Sequence, residues 1–202
     1  MAGRRPSKAF AGVSLDLTDI PVGKRFGRIF HRRYPDPLGF GKSPSRFGDP
    51  RRRQKEDRFG ILYLGASLKV CFVEAILRDR RNGTVADYPI DETDLAARRY
   101  AEIEVLSRLT LVDLTGDGCI RMGIPSDVIG ASDQVTARWW SVAIHEHPAA
   151  PDGIVYPSRL NEERNLAIYG RAVGKLSAVK RYPLKKAPGL ARVLNDLKVA
   201  FA

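Results

Sequence analysis

Residues 60–77 read GILYLGASLKVCFVEAIL, and this stretch decides the fold. The apolar run Ile61–Leu64, bounded by a glycine on each side, predicts a buried strand. Ser67 has the side chain of a helix cap, so we expect a helix from there to about Arg80. A buried strand that leads at once into an apolar helix indicates a domain built from both element types.

The flanking sequence supplies further elements and no internal repeat. Strands are expected around Arg28–His31, over residues 100–106, at Leu109–Leu114 and at Ile154–Tyr156, and helices from Ser132 and over Leu190–Leu197. Apart from its strand, the stretch 24–58 is rich in glycine, proline and charge, which is typical of a loop. The pattern predicts an α+β fold with loosely attached ends.

Composition restricts the class of protein. A chain of 202 residues with 44% hydrophobic and 28% charged residues suits one ordinary globular domain. No segment approaches the roughly 18 apolar residues of a membrane helix, and no apolar run follows the basic N-terminus, so we expect a cytoplasmic protein. The two cysteines, Cys71 and Cys119, are too few for a disulfide framework or a four-thiolate zinc site.

The net charge of +11 is unevenly distributed along the chain. Residues 24–58 carry +8 and residues 171–202 carry +7, whereas residues 59–170 carry −5. This asymmetry suits a phosphate-bearing partner of any size, from a nucleotide to an RNA, or a solvated surface that keeps the protein soluble. The charge alone does not choose between these interpretations.

Glu74 is an isolated carboxylate in the predicted helix. Lys69 is the only other charged residue between Leu68 and Leu77, and helical geometry places Glu74 near Val70. An unpaired buried carboxylate is costly, so this one needs a hydrogen-bonding or charged partner. Two interpretations remain open, a Glu–Arg pair that fixes the helix and a carboxylate with a catalytic role.

Arg46 and Ser158 lie in segments that can approach a ligand. Arg46 is in SPSRFGDP, where its guanidinium can fork onto a phosphate or pair with Glu74. Ser158 follows a short strand, at a position from which side chains often project into a cleft. The alternatives are a solvent-exposed arginine and a serine that caps a turn.

Several common signatures are absent from the sequence. It contains no P-loop and no G-x-G-x-x-G, and Ser158 is not in a G-x-S-x-G elbow. His145 and His147 lack the H-E-x-x-H spacing, and His31 is the only other histidine. We therefore expect no metal site.

Three segments in order resemble the RES domain. They are RIFHRRYPDPLGFGKSPSRFGDP, FGILYLGASLKVCFVEAI and DGIVYPSRLNEERNLAIYG, within roughly residues 25–175. The family is named after an Arg, a Glu and a Ser, which fall here on Arg46, Glu74 and Ser158, and Arg28 and Tyr63 match two further positions. The basic insertion at residues 51–58 and the stretch 78–99 do not match the pattern.

The resemblance implies a fold like that of ADP-ribosyltransferases, with a split mixed β-sheet around an NAD cleft. Family members are toxins of bacterial toxin–antitoxin pairs, and they deplete NAD by cleaving its nicotinamide–ribose bond with water or inorganic phosphate as acceptor. An antitoxin of the Xre type, which carries a helix-turn-helix, neutralises the toxin and binds DNA. NAD would therefore be a substrate rather than a cofactor, and DNA would be reached only through the antitoxin.

Each matched residue has a role that the chemistry of this reaction would use. Glu74 would stabilise an oxocarbenium-like ribose, and Arg28 and Arg46 would grip the diphosphate. Tyr63 would stack on nicotinamide or line its pocket, and Ser158 would hydrogen-bond the amide or a ribose hydroxyl. Catalysis would thus fall to Glu74, Arg46 and Ser158.

The resemblance divides the chain into an N-terminal extension at 1–23, an NAD-binding domain at 24–178 and a basic helical tail at 179–202 packed on the domain. One alternative is a basic module that binds nucleic acid through residues 24–58 and the tail. For the isolated NAD-cleaving protein we expect only weak, steeply salt-dependent nucleic-acid binding without sequence preference, so tight binding to one sequence by a protein that leaves NAD intact would favour the alternative. Another is an ADP-ribosyltransferase that modifies a macromolecule in the same cleft. The enzyme requires Arg28 and Arg46 to converge with Glu74, whereas the nucleic-acid module requires them on a convex surface.

Overall fold

The computed structural model describes residues 5–51, 54–78, 80, 83 and 85–201. Its strands are β1 (Leu17–Ile20), β2 (Arg25–His31), β3 (Ile61–Gly65), β4 (Tyr88–Ile90), β5 (Arg98–Val105), β6 (Leu109–Asp113), β7 (Gly153–Pro157), β8 (Arg164–Tyr169), β9 (Leu176–Pro183) and β10 (Val199–Phe201). Eight of them form one mixed sheet in the order β1-β6-β7-β8-β3-β2-β5-β9, with β6 and β7 parallel and the other neighbours antiparallel. The remaining pair, β4 and β10, is parallel.

Short helices cover the sheet. The α-helices are α1 (Leu68–Phe72), α2 (Glu92–Ala96), α3 (Gly118–Arg121), α4 (Asp127–Gly130), α5 (Val135–His145) and α6 (Leu190–Asp196). A π-helical turn, Val73–Leu77, continues α1, and 3-10 helices lie at Lys8–Gly12, Lys55–Asp57, Gly170–Lys175 and Leu184–Lys186. The expected α+β class is confirmed.

Alternation along the central strands divides the core. In β3, Ile61 packs in a cluster with Trp140 of α5, whereas Leu62 and Leu64 point to the opposite side of the sheet. That second cluster includes Ile103 of β5 and residues of five other strands, so the sheet curls around its own apolar face. A third cluster lies where α1, α2 and α6 pack together.

Gly65 lets α1 pack directly onto the end of β3. A Cβ atom at this position would lie 2.7 Å from both Val70 Cγ1 and Cys71 Sγ. Gly27, its partner in β2, is equally crowded, because a Cβ there would lie 2.7 Å from the Tyr100 hydroxyl. Two strands and a helix therefore meet where no side chain fits.

The sheet is split at this point. Gly27 and Gly65 are the single register pair between β2 and β3, whereas seven pairs join β2 to β5 and five join β3 to β8. Beyond the glycine pair, β2 and β3 diverge and leave a gap between two well-paired halves of the sheet. The split that the resemblance implied is therefore present.

The predicted helix from Ser67 differs in form and length. Ser67 caps it as expected, accepting a hydrogen bond from the Val70 amide at 3.1 Å. After Phe72, however, the backbone widens into the π-helical turn, and the helix ends before Arg78, which has a φ of 45°. Asp79 in the predicted last turn lies outside the described residues.

Other boundaries also move. The strand expected around Arg28–His31 begins earlier, at Arg25, and the helix expected from Ser132 begins at Val135, whose amide donates to Asp133 Oδ1 at 3.0 Å. The unmatched stretch 78–99 contains β4 and α2. These shifts arise because side-chain caps and strand pairing set the ends of elements.

The chain ends are packed on the domain and are not loosely attached. The expected extension 1–23 contributes β1, which pairs with β6, and Phe10, which is 5% exposed in the core. The expected start of the tail, residue 179, lies inside β9 of the main sheet. Further along the tail, α6 packs in the third cluster through Leu190 and Val193.

We predict that Gly65→Ala destabilises the protein by about 1–3 kcal/mol, because the new methyl group would overlap Val70 and Cys71. Urea unfolding followed by circular dichroism measures the change. Gly130→Ala is the control, since nothing lies within 4 Å of its Cβ position. Equal unfolding free energies for the two variants would contradict the close approach of α1 to β3.

Candidate active site

A pocket of about 450 Å³ opens in the gap between β2 and β3. This volume lies within the range of small-molecule sites. Both halves of the split sheet, α1 with its π-helical turn, the 44–46 loop and the loop after β7 contribute to its wall. The lining residues are Gly27, Arg28, Ile29, Pro44, Ser45, Arg46, Tyr63, Leu64, Gly65, Cys71, Glu74, Ala75, Arg78, Gln134, Tyr156, Arg159, Leu160 and Asn165.

Glu74 projects into this pocket from the π-helical turn. Its side chain is half-buried, and Oε1 accepts hydrogen bonds from Ser158 Oγ at 2.7 Å and from Asn165 Nδ2 at 3.1 Å. No ion pair among the described residues includes Glu74. The Glu–Arg pair considered from the sequence is therefore not what holds this carboxylate, and neutral donors from the β7–β8 hairpin take that place.

Ser158 lies behind Glu74 and does not line the pocket. It is 1% exposed, and its hydroxyl oxygen also accepts a hydrogen bond from the Leu160 amide at 3.2 Å. The backbone amide of Ser158 donates to the Glu163 carbonyl at 2.7 Å. The serine is thus fixed on three sides, and its proton is directed at the carboxylate.

Arg28 lines the pocket from β2, where it directly follows Gly27 of the glycine pair. Its guanidinium donates to the Pro37 carbonyl at 2.5 Å, which ties the loop after β2 to the pocket wall. Burial lowers the pKa of Arg28 to about 10, and the negative charge of Asp36 opposes that change. The side chain therefore remains a cation at pH 7.

Arg46 reaches the pocket from the loop that crosses the gap. Its Nη1 donates to the carbonyl of Ala131 at 3.0 Å and lies 3.5 Å from that of Val128. The sequence left open a pair with Glu74, but the structure directs this nitrogen to carbonyls at the end of α4. A guanidinium has five N–H donors, so these contacts leave donors for a ligand.

Tyr63 positions the loop that carries Arg46. Its hydroxyl donates to Ser45 Oγ at 3.0 Å and accepts from the Phe47 amide at 3.0 Å. Burial raises the pKa of Tyr63, so the hydroxyl keeps its proton at neutral pH. The ring also contributes to the pocket wall.

The structure brings the predicted residues together. Arg28, Arg46, Tyr63 and Glu74 line one pocket, and Ser158 contacts Glu74 from behind. This is the convergent arrangement that an enzyme requires, not a spread over a convex surface.

Four polar residues of the site were missed in the sequence. Asn165 faces Gly65 across the β3–β8 ladder, and Arg78, Gln134 and Arg159 also line the pocket. An asparagine next to the apolar run LAIY was a signal for Asn165, since a buried amide needs partners. The other three had no such signal, because each lies in a polar stretch.

Two further findings concern other classes of site. The part of the chain that the structure describes contains no group of three or more His, Cys, Asp or Glu placed to hold a metal ion. Among the same residues, none of the helices is long and apolar enough to cross a membrane.

Comparison with known proteins identifies the family, because the RES domain matches residues 25–188. The chain belongs to the RES domain family. A relative from Sinorhizobium fredii, named a probable toxin y4kH, is 36% identical over 124 residues, which span 61% of this chain and 98% of the relative.

A solved structure has the same fold. It is the crystal structure of the M. tuberculosis MbcT-MbcA toxin-antitoxin complex, with a TM-score of 0.60, 20% identity and coverage of 89% of this chain and 91% of the other. The family match includes all five predicted site residues.

We predict that Tyr63→Phe loosens the 45–47 loop, because it removes the hydrogen bonds to Ser45 and Phe47. The free energy of unfolding should fall by about 1 kcal/mol, and hydrogen exchange at the Phe47 amide should become faster. Tyr34→Phe, at a ring that is 57% exposed, is the control and should change neither. Unchanged exchange at Phe47 in Tyr63→Phe would show that the tyrosine does not hold the loop.

Proposed function

We propose that this RES protein is the toxin of a toxin–antitoxin pair and that it cleaves the nicotinamide–ribose bond of NAD. The observation that carries the proposal is an oriented carboxylate, Glu74, in a pocket that also contains Arg28 and Arg46. NAD presents the matching groups, a cationic nicotinamide on a ribose and a diphosphate with two negative charges. The names of the relative and of the solved complex support the assignment as a toxin.

The two arginines come from β2 and from the 44–46 loop, and both are suited to the diphosphate. Arg28 is fixed by Pro37, and Arg46 is fixed by Ala131, so neither must be ordered when the ligand arrives. Guanidinium groups bind phosphate oxygens with paired hydrogen bonds. Diphosphate binding would orient the nicotinamide ribose toward Glu74.

Glu74 would act on the ribose. Both neutral donors, Ser158 and Asn165, bind Oε1, which leaves Oε2 for a ribose hydroxyl or the reacting carbon. As the bond between C1′ and the nicotinamide nitrogen breaks, its electron pair passes to that nitrogen and neutralises the ring. Positive charge then develops on the ribose, where a nearby carboxylate stabilises it.

The acceptor completes the reaction at C1′. Attack by water, with loss of a proton, gives ADP-ribose, and attack by inorganic phosphate gives ADP-ribose 1″-phosphate. Neither route requires a metal or a redox cofactor, because nicotinamide in NAD is already a good leaving group. Transfer to a macromolecule would use the same pocket, and the products distinguish the three routes.

The proposed partner is an antitoxin. The solved relative is a toxin–antitoxin complex, and the resemblance to RES toxins implies an Xre-type protein with a helix-turn-helix. Operator DNA would then be bound by the antitoxin and reached by this chain only through it.

We predict that the purified protein consumes NAD and that Glu74→Gln lowers kcat by at least about 100-fold, because glutamine keeps the size but not the charge. Products made with and without phosphate are identified by chromatography and mass spectrometry. Glu162→Gln, in an exposed side chain outside the pocket, is the matched control and should retain activity. In cells, the parent should arrest growth and lower NAD, whereas Glu74→Gln should be tolerated.

The result that would refute this mechanism is a Glu74→Gln protein that consumes NAD as fast as the parent. A parent protein that leaves NAD intact, with or without phosphate, would refute the proposed activity itself.

We further predict that Ser158→Ala lowers kcat about 10- to 100-fold and leaves KM for NAD within about twofold. The reason is that Ser158 contacts Glu74 and not the pocket, so it acts as a positioning residue. Steady-state kinetics separates the two parameters. An increase in KM at unchanged kcat would instead mean that the serine contacts the substrate.

A further inference from the structure

Five arginines from three separate stretches of the sequence lie at the adjoining ends of β2, β5 and β9, at one corner of the sheet. We call this surface the basic corner, and it consists of Arg32, Arg33, Arg98, Arg99 and Arg181. Because β5 runs antiparallel to both β2 and β9, its first residues lie beside the last residues of those two strands. Arginines from the basic segment 24–58, from the acidic middle of the chain and from the basic C-terminal part therefore lie on one surface.

The strand register fixes these neighbours. His31 at the end of β2 pairs with Arg98, and Ala101 pairs with Arg181 of β9. The amide of Arg32 donates to the Ala97 carbonyl at 2.8 Å, which holds the turn after β2 against the start of β5.

The charge of the basic corner is not neutralised within the described chain. None of the ion pairs among described residues includes any of its five arginines. On the same strands, by contrast, Arg25 pairs with Glu104 at 2.7 Å and Lys180 lies 3.8 Å from Glu102. In the loop after β2, Asp36 accepts a hydrogen bond from the Leu38 amide at 2.8 Å, and its charge acts on Arg28 of the pocket.

The turn that carries Arg32 and Arg33 is ordered. The Arg33 amide donates to His31 Nδ1 at 3.2 Å, and the Tyr34 amide donates to the His31 carbonyl at 2.9 Å. Burial and the positive charges of Arg33, Arg98 and Arg32 all lower the pKa of His31, so these three cations act on the same ring. Within the described residues, the buried Nε of Arg98 also has no hydrogen-bond partner.

An exposed aromatic ring lies among these cations. Tyr34 is 57% exposed, and the Arg33 guanidinium lies 4.8 Å from its ring centroid. The His31 ring contacts it edge-on at 6.5 Å. The remaining ring surface is open to a planar ligand group.

We propose that the basic corner binds single-stranded nucleic acid, with the arginines on successive phosphates and one base stacked on Tyr34. Guanidinium groups around an exposed aromatic ring are the combination that single strands use, since phosphates need cations and every base has a face that stacks. An acidic peptide would satisfy the arginines, but its carboxylates make no use of the ring. None of the five arginines lines the pocket, so this surface does not depend on the proposed NAD chemistry.

Fluorescence anisotropy with a labelled oligonucleotide of about 20 nucleotides of mixed sequence tests the proposal. The test variant is Arg33→Gln with Arg99→Gln, and the control is Lys186→Gln with Arg192→Gln, which removes the same two charges from exposed positions near α6. We expect the test variant to weaken binding at least about 10-fold at about 50 mM salt and to reduce the log–log salt slope by about 1.4, because each phosphate contact on a single strand contributes about 0.7. The control should stay within about twofold of the parent.

The ring is tested separately. Tyr34→Ala should weaken single-strand binding about 5- to 100-fold, whereas Tyr34→Phe should not, because stacking needs the ring and not the hydroxyl. Neither change should affect binding to a duplex of the same length.

Three results would overturn the proposal. The first is equal loss of binding in the two double variants, which would show that only net charge matters. The second is no effect of Tyr34→Ala, and the third is displacement of the oligonucleotide by a poly-glutamate peptide at equal charge concentration, which would indicate an acidic protein partner. NAD consumption by the Arg33→Gln, Arg99→Gln protein should equal that of the parent, so failure of this surface and failure of the proposed activity give different results.

Discussion

Gly27 and Gly65 form the single register pair that joins the two halves of the main sheet, and the pocket exists because of that constraint. A side chain at Gly65 would push α1 away from β3, and one at Gly27 would overlap the Tyr100 ring and crowd Cys71 of α1. With more register pairs between β2 and β3, the gap that becomes the pocket would close. The strands β2 and β3 pack closely at the glycine pair and diverge beyond it. The pocket in the resulting gap is surrounded by these two strands, α1 and the 44–46 loop.

The π-helical turn and the β7–β8 hairpin together determine the orientation of Glu74. A π-helical turn is a local widening that is often found at functional sites, and here it carries the one carboxylate that lines the pocket among the residues that the structure describes. Ser158, which directly follows β7, and Asn165, which lies in β8, meet on the same carboxylate oxygen. Their neutrality matters, since a cation in their place would compensate the negative charge that we propose acts on the ribose.

Much of this fold was predictable from patterns among residues that are close together in the sequence. Alternation and glycine boundaries located β3, and the Ser67 cap located the start of α1, because both depend on neighbouring residues. The π-helical turn and the course of the chain ends were not predictable, since they depend on contacts with distant residues. Phe10 shows why, because it lies in a segment that reads as a tail but packs against Trp140 of α5, with ring centroids 5.0 Å apart.

The site was partly predictable for the same reason. Glu74 was conspicuous as a carboxylate in an apolar helix, but the resemblance to the RES domain was needed to connect it with Arg46 and Ser158. Nothing in the sequence showed that Ser158 lies behind the carboxylate, or that Asn165 shares its task, because both facts depend on the register of the hairpin with β3.

The most direct test of the account is a crystal structure of the Glu74→Gln variant soaked with NAD. We expect NAD in the gap between β2 and β3, with its diphosphate on Arg28 and Arg46 and C1′ of the nicotinamide ribose within about 3.5 Å of the substituted side chain. NAD bound elsewhere, or with its nicotinamide ribose turned away from position 74, would contradict it.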